Sequence, residues 1–172
     1  MKIKSEIFQI ERISDLTKLE INNLADEYGY QIVIDGMVAK VTEEILELSV
    51  EIIKNNEEGI IEECYDVINT SISLMIILYM KDIPEFVNSI NKNTSEPVNA
   101  ISLIEYGRLF NSYTHIDTSF QSKTGLNSEE ELQIKLKQLI SNIVCFVDIS
   151  SRIDSLEKLT KIKLDKWESK II

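Results

Sequence analysis

The chain spreads five glycines and two prolines over 172 residues, and that scarcity constrains its fold more than any other feature. Glycine and proline are the residues that most readily end helices and turn chains. The segments between them are therefore long, and nearly all carry apolar residues at the i, i+3, i+4 spacing of one helix face. A first helix is predicted over roughly Ile10–Tyr28, with Ile13, Leu16, Leu19 and Leu24 on its apolar side. "GYQIVIDG" (29–36) reads as a short connection, since its "QIVI" is too short for a strand and has no partner. A second helix is predicted over about Met37–Lys54, a turn at Asn55 and Asn56, and a third helix over about Glu57–Met80, broken by "KDIPEF" at Pro84. The second half follows a looser version of this plan. A helix over about Val98–Tyr113 leads to the polar loop "THIDTSFQSKTGLN". Ser128 and Glu131 then form a capping box for a helix to about Ile149. The last helix, about Ser155–Ile171, carries Leu156, Leu159, Leu164 and Trp167. The expected fold is all-α, an antiparallel up-and-down bundle in one domain, 1–172.

Composition removes several classes of function. A net charge of −11 opposes binding to a nucleic-acid backbone or an anionic membrane surface and suits binding of cations. Cys64 and Cys145 both sit among apolar residues and read as buried free thiols in a reducing compartment. The opening "MKIKSEIFQIERI" is too charged for a signal peptide, and the longest apolar run, "LMIILYM" (74–80), is too short to span a bilayer. A cytoplasmic location is expected.

Between Glu43 and Asp66 lie nine carboxylates and a single cation, Lys54. Charge runs are usually solvated faces, and the second helix fits that description. On a wheel of about 100° per residue, Val38, Val41, Ile45, Leu48 and Ile52 form one stripe, widened by Leu46, Val50 and Ile53. Lys40, Glu43, Glu44, Glu47, Glu51 and Lys54 share the other face. The third helix does not fit it. Ile60, Ile61, Cys64, Tyr65, Val67, Ile68, Ile72, Leu74 and Met75 cover most of its circumference, which suits the centre of a bundle. Its only polar stripe is Glu62, Glu63, Asp66, Asn69, Thr70 and Ser73. Unpaired carboxylates on a central helix would cost several kcal/mol each if buried. The short turn makes the two helices antiparallel, so Glu44 and Glu47 meet Glu63 and Asp66 at similar heights. Four converging carboxylates require a counter-charge, and oxygen-only ligands favour Mg2+, Mn2+ or Ca2+ over zinc. A di-iron bundle would need Glu-x-x-His pairs. The chain has one histidine, His115, which reads as a loop residue, and no EF-hand loop.

"EEILE" (43–47), about fifteen residues, then "ECYD" (63–66) resembles the EExxE…ExxD signature of the MazG-like all-α nucleoside triphosphate pyrophosphohydrolases, a superfamily that includes the dimeric dUTPases and dCTPases. Lys40 and the following "VIN" are similar to the family's run as well, and the match covers about Met37–Met80. The resemblance implies hydrolysis of a (d)NTP between its α and β phosphates, to (d)NMP and pyrophosphate, with Mg2+ as cofactor and Mn2+ as substitute. It places metal-binding and catalytic roles on Glu44, Glu47, Glu63 and Asp66. Glu43 matches the variable first acid of the motif and Glu62 is a possible helper. It also implies a homodimer or higher homo-oligomer.

The halves, about 1–92 and 93–172, align weakly: "AKVTEEILELS" with "AISLIEYGRLF", and "ECYDVINTSIS" with "NIVCFVDISSR". Glu105 then falls at the place of Glu44, Arg108 at that of Glu47, and Asn142 and Cys145 at those of Glu63 and Asp66; Asp148 comes a turn too late. The expectation is a degenerate second repeat without its own metal site. Arg108 reads as a surface arginine or a ligand of substrate phosphate. The family resemblance gives the same phosphate role to Lys163 and Lys166 of the terminal helix, which also holds Lys158, Lys161 and Lys170. Those lysines otherwise solubilise the helix and complement its dipole. Trp167 reads as core, with Tyr28, Tyr30 and Tyr65 as alternative base-stacking rings. The same residues leave open a catalytically idle relative that binds nucleotide or regulates, and a purely structural bundle with a solvated acidic face.

Overall fold

In a computed structural model, which describes residues 5–91, 93, 95–113, 128–149 and 152–171, the chain is helical throughout its regular elements. After a 3-10 turn at Ser5–Phe8 come α1 (Ile10–Tyr28), α2 (Tyr30–Lys54), α3 (Glu57–Ile77), α4 (Ile83–Ser89), α5 (Ala100–Asn111), α6 (Ser128–Ile149) and α7 (Ile153–Ile171). The loop containing His115, the side chain of Ser128 with its capping box, and the side chain of Asp148 lie outside the described residues.

The centre is α3, which packs against α1, α2, α6 and α7. Ile60, Cys64, Tyr65, Val67, Ile68, Ile72, Leu74 and Met75 are buried along it, as its nearly all-round apolar pattern requires. Each buried aliphatic side chain contributes about 1.5–3 kcal/mol, so α3 is the element the bundle can least lose. α2 is antiparallel to α3 across the Asn55–Asn56 turn. The main partner of α5 is α2, and that of α6 is α3. The second half is thus laid against the first. Gly107 permits the α2–α5 approach, because a Cβ there would lie 3.0 Å from Leu46 Cδ2.

Several boundaries differ from the sequence expectation for physical reasons. α2 starts seven residues early: "GYQIVIDG" is helical after its first residue. Gly29 alone makes the turn, at φ 89°, and its N–H caps α1 on the Ala25 carbonyl at 2.9 Å. Val33 is buried, Gln31 donates to Asp35 at 3.1 Å, and the Tyr30 hydroxyl donates to the Ile77 carbonyl. α3 stops at Ile77, three residues early. Tyr79 turns left-handed at φ 54° and the Met80 N–H reaches back to the Met75 carbonyl at 3.0 Å, a helix-ending pattern. Pro84, read as a breaker, instead opens α4, since a first-turn residue needs no N–H donor. α5 is shorter than predicted, with Asn99 and Ser102 forming a reciprocal cap, and α7 starts two residues early. The expected apolar faces are partly open. Leu19 and Leu24 on α1, and Leu46, Val50 and Ile53 on α2, are exposed.

Candidate metal centre

Glu44, Glu63 and Asp66 each present a carboxylate oxygen, and these atoms lie within 4.8 Å of one another. The antiparallel hairpin creates this group, with Glu44 coming from α2 and the other two, three residues apart on one face, from α3. Glu44 is 5% exposed, among the least exposed acids of the chain. Lys40, one turn earlier on α2, makes that burial tolerable, with its Nζ 2.6 Å from Glu44 Oε1 and 3.1 Å from Glu43 Oε2. The hydrogen bond to Glu44 is the main cause that raises the Lys40 pKa. Glu43 is exposed, shares Lys40 with Glu44, and adds its charge to those that raise the Glu47 pKa. Glu47 is exposed on the rim; burial first, then the charge of Glu44, raises its pKa. Three of the four predicted carboxylates therefore converge, with the fourth beside Glu44.

Asp66 meets Lys163 of α7, whose Nζ donates to Asp66 Oδ2 at 2.5 Å and lies 3.0 Å from Glu62 Oε1 and 5.5 Å over the Tyr65 ring. Burial opposes the lysine's charge, but the bonds to Asp66 and Glu62 more than offset it, so its pKa is raised. Asp66 is raised too, by burial first, in spite of the lysine. Glu63 is pushed up to about 7, by burial first and then by Asp66, Glu47 and Glu44. Its Oε2 is buried without a hydrogen-bond partner, as is Asn69 Oδ1 one turn and a half further along α3.

The donor set fits a hard divalent cation. It consists of oxygens only, and their separations stay within about 4–5 Å, the most that two oxygens on opposite sides of one ion can span. The orphaned Glu63 oxygen, and the neighbouring carboxylates that add to burial in raising the Glu63 pKa, mark negative charge that the chain's own cations leave uncompensated.

Of the phosphate candidates, Lys163 is at the group, while Lys166 and Arg108 are exposed and, among the described residues, neither pairs with it. Tyr65 is buried and borders the group through Lys163. Tyr30 stacks on Tyr79 at 6.1 Å near the far end of α3, and Trp167 packs half-buried against the core. The sequence signal for the Lys40 pairing was its i, i+3 and i, i+4 spacing to Glu43 and Glu44. No protein-family model, curated protein or solved structure matches the chain, so the reading of this site rests on its own geometry and on the motif.

Proposed function

We propose that the protein is a Mg2+-dependent nucleoside triphosphate pyrophosphohydrolase, with Mn2+ as a substitute ion, that converts a (d)NTP and water into (d)NMP and pyrophosphate. The observation that carries the reading is the convergence of Glu44, Glu63 and Asp66 from two antiparallel helices with Glu63 Oε2 left unpartnered. Those three residues, with Glu47 at the rim, would hold the ion. Bound there, it would offset charge on the polyphosphate and acidify a water molecule. Glu43 acts through Lys40, steadying Glu44.

The chain's residues supply the rest. The Glu63 oxygen that the ion leaves free would serve as the general base for water; its pKa of about 7 belongs to the metal-free cluster and falls once a cation offsets the neighbouring charges. It takes the proton of the attacking water as the water oxygen bonds to phosphorus and the phosphoanhydride P–O bond breaks; that electron pair leaves on pyrophosphate. Lys163 lies close enough to the group to meet a phosphate; Lys166 and Arg108 are secondary candidates on the exposed faces of α7 and α5.

The finer architecture belongs to the same reading, as a MazG-like fold whose residues from about 93 onward are a degenerate repeat. The weak alignment and the burial of Asn142 and Cys145 support it. A homo-oligomer fits the exposed Leu46, Val50 and Ile53 stripe on α2. Because Asp66 already has a lysine partner, an idle nucleotide-binding relative is the competing reading. Pyrophosphate release measured over all NTPs and dNTPs with Mg2+ separates the two. Release from at least one nucleotide is expected, and nucleotide binding without release would favour the idle relative.

A further inference from the structure

Asp66 is held by a cation that belongs to the chain. The Lys163 ammonium reaches it from α7, 97 residues away in sequence, at 2.5 Å, and settles against Glu62 and the face of Tyr65. Asp66 is also one of the three carboxylates whose oxygens converge. Asp66 has two oxygens, but an ammonium on one and a divalent ion on the other would stand within a few Å and repel strongly in a half-buried site.

Lys40 stands differently. It pairs with Glu44 from its own helix, is about half exposed, and can swing into water with no change in tertiary structure. Lys163 is three-quarters shielded and joins two helices. α7 has other anchors. Arg12 of α1 bonds Asp165 at 2.7 Å and also Glu168, and Leu156 and Leu164 are buried. The helix therefore stays docked if the lysine lets go, and only the side chain moves.

We propose that Lys163 is a displaceable internal counter-ion. It occupies Asp66 in the metal-free protein, and a divalent cation entering the Glu44–Glu63–Asp66 group exchanges with it. This rests on the metal reading above and adds its regulation: the ion must compete with a built-in ammonium, and its arrival releases one. Tyr65 and Glu62 give the released amine a place to wait beside the group, so the exchange is reversible without unfolding.

Reductive methylation of the intact chain at fixed pH, with each lysine followed by mass spectrometry, tests this when melting temperature is recorded in the same samples. Saturating Mg2+ should speed modification of Lys163 by about fivefold or more, the lower range of a typical coupling between sites, and leave the exposed Lys161 and Lys166 unchanged. In Asp66→Asn, Lys163 should react fast without Mg2+ and ignore it. If Mg2+ raises the melting temperature while Lys163 reacts no faster, the ion binds without exchange; the proposal falls and the metal site stands. If Mg2+ changes neither, both fall.

Discussion

Glu63 on α3 and Asn142 on α6 stand opposite each other in the weak alignment of the two halves, and their surroundings differ sharply. Asn142 is buried with both its amide oxygen and its amide nitrogen hydrogen-bonded. Its Oδ1 accepts from the Glu96 N–H at 2.8 Å and its Nδ2 donates to the Tyr106 hydroxyl at 3.1 Å. Its neighbours Cys145, Phe146, Pro97 and Val98 line a cleft of about 330 Å3. Glu63 has an oxygen with no partner and a carboxyl lifted to about 7 among like charges. A neutral amide is buried at little cost once it is hydrogen-bonded, whereas a carboxylate among carboxylates stays under tension until a cation arrives. The polar position of α6 works for stability, and that of α3 is kept at the expense of stability.

The widest gap between the two regions is expected in turnover. Glu63→Gln should lower kcat by about 10²–10⁴-fold, the range for losing a positioned proton acceptor. Glu105→Gln, on the exposed face of α5, should leave kcat within error. Equal losses in steady-state pyrophosphate release would erase the distinction. Next comes the response to metal. At about 100 times its dissociation constant, Mg2+ should stabilise the wild type by roughly 2.7 kcal/mol in calorimetry, and Glu63→Gln should lose most of that gain. Similar gains in both proteins would remove Glu63 from the centre.

Removing the polar group on α6 should act in the opposite direction. Asn142→Leu strands the Glu96 N–H and the Tyr106 hydroxyl, and should cost about 1–3 kcal/mol in urea unfolding. Metal-free Glu63→Gln should be as stable as wild type or more stable at pH 8; destabilisation of both variants would end the contrast. The smallest effect is in the pH profile. Glu63 has a folded pKa above its unfolded value, so the proton it binds favours the folded state. Its contribution to metal-free stability is therefore full below the ordinary carboxylate range and is lost as pH rises to about 7. Glu47 and Asp66 shift in the same direction. A flatter melting-temperature profile for Glu63→Gln checks the assignment.

How far these regions can be read from sequence follows from the distance over which each feature is determined. The all-helical character and the centrality of α3 are written in local periodicity, and the Glu44–Glu63–Asp66 convergence needs only a short turn between two helices. Gly29 and Pro84 were misjudged because each allows two outcomes, a break or a helix start, and tertiary packing chooses. Val33 buries and Tyr30 reaches α3, so the segment after Gly29 continues as helix. Leu46, Val50 and Ile53 lie within an apolar arc wider than α3 and α5 cover, which no helical wheel can foresee. Lys163 is the extreme case. It is one of five lysines on α7, and only the docking of that helix on α3, fixed in part by Arg12, selects it.

The turn between α2 and α3 acts as the datum from which the cluster is measured. Asn55 is left-handed at φ 55°, and Glu51 accepts from the Asn56 side chain at 2.5 Å, so the reversal has no slack. At 1.5 Å of rise per residue, Glu44 stands about 16 Å before that reversal and Asp66 about 15 Å after it. The match is a matter of phase as well as height. One residue inserted within either helix between Glu44 and Asp66 would turn one carboxylate about 100° away from the other, while a change of length beyond them would leave both aimed inward. The stretch 44–66 should therefore tolerate substitution on its outer face far better than any change in its length.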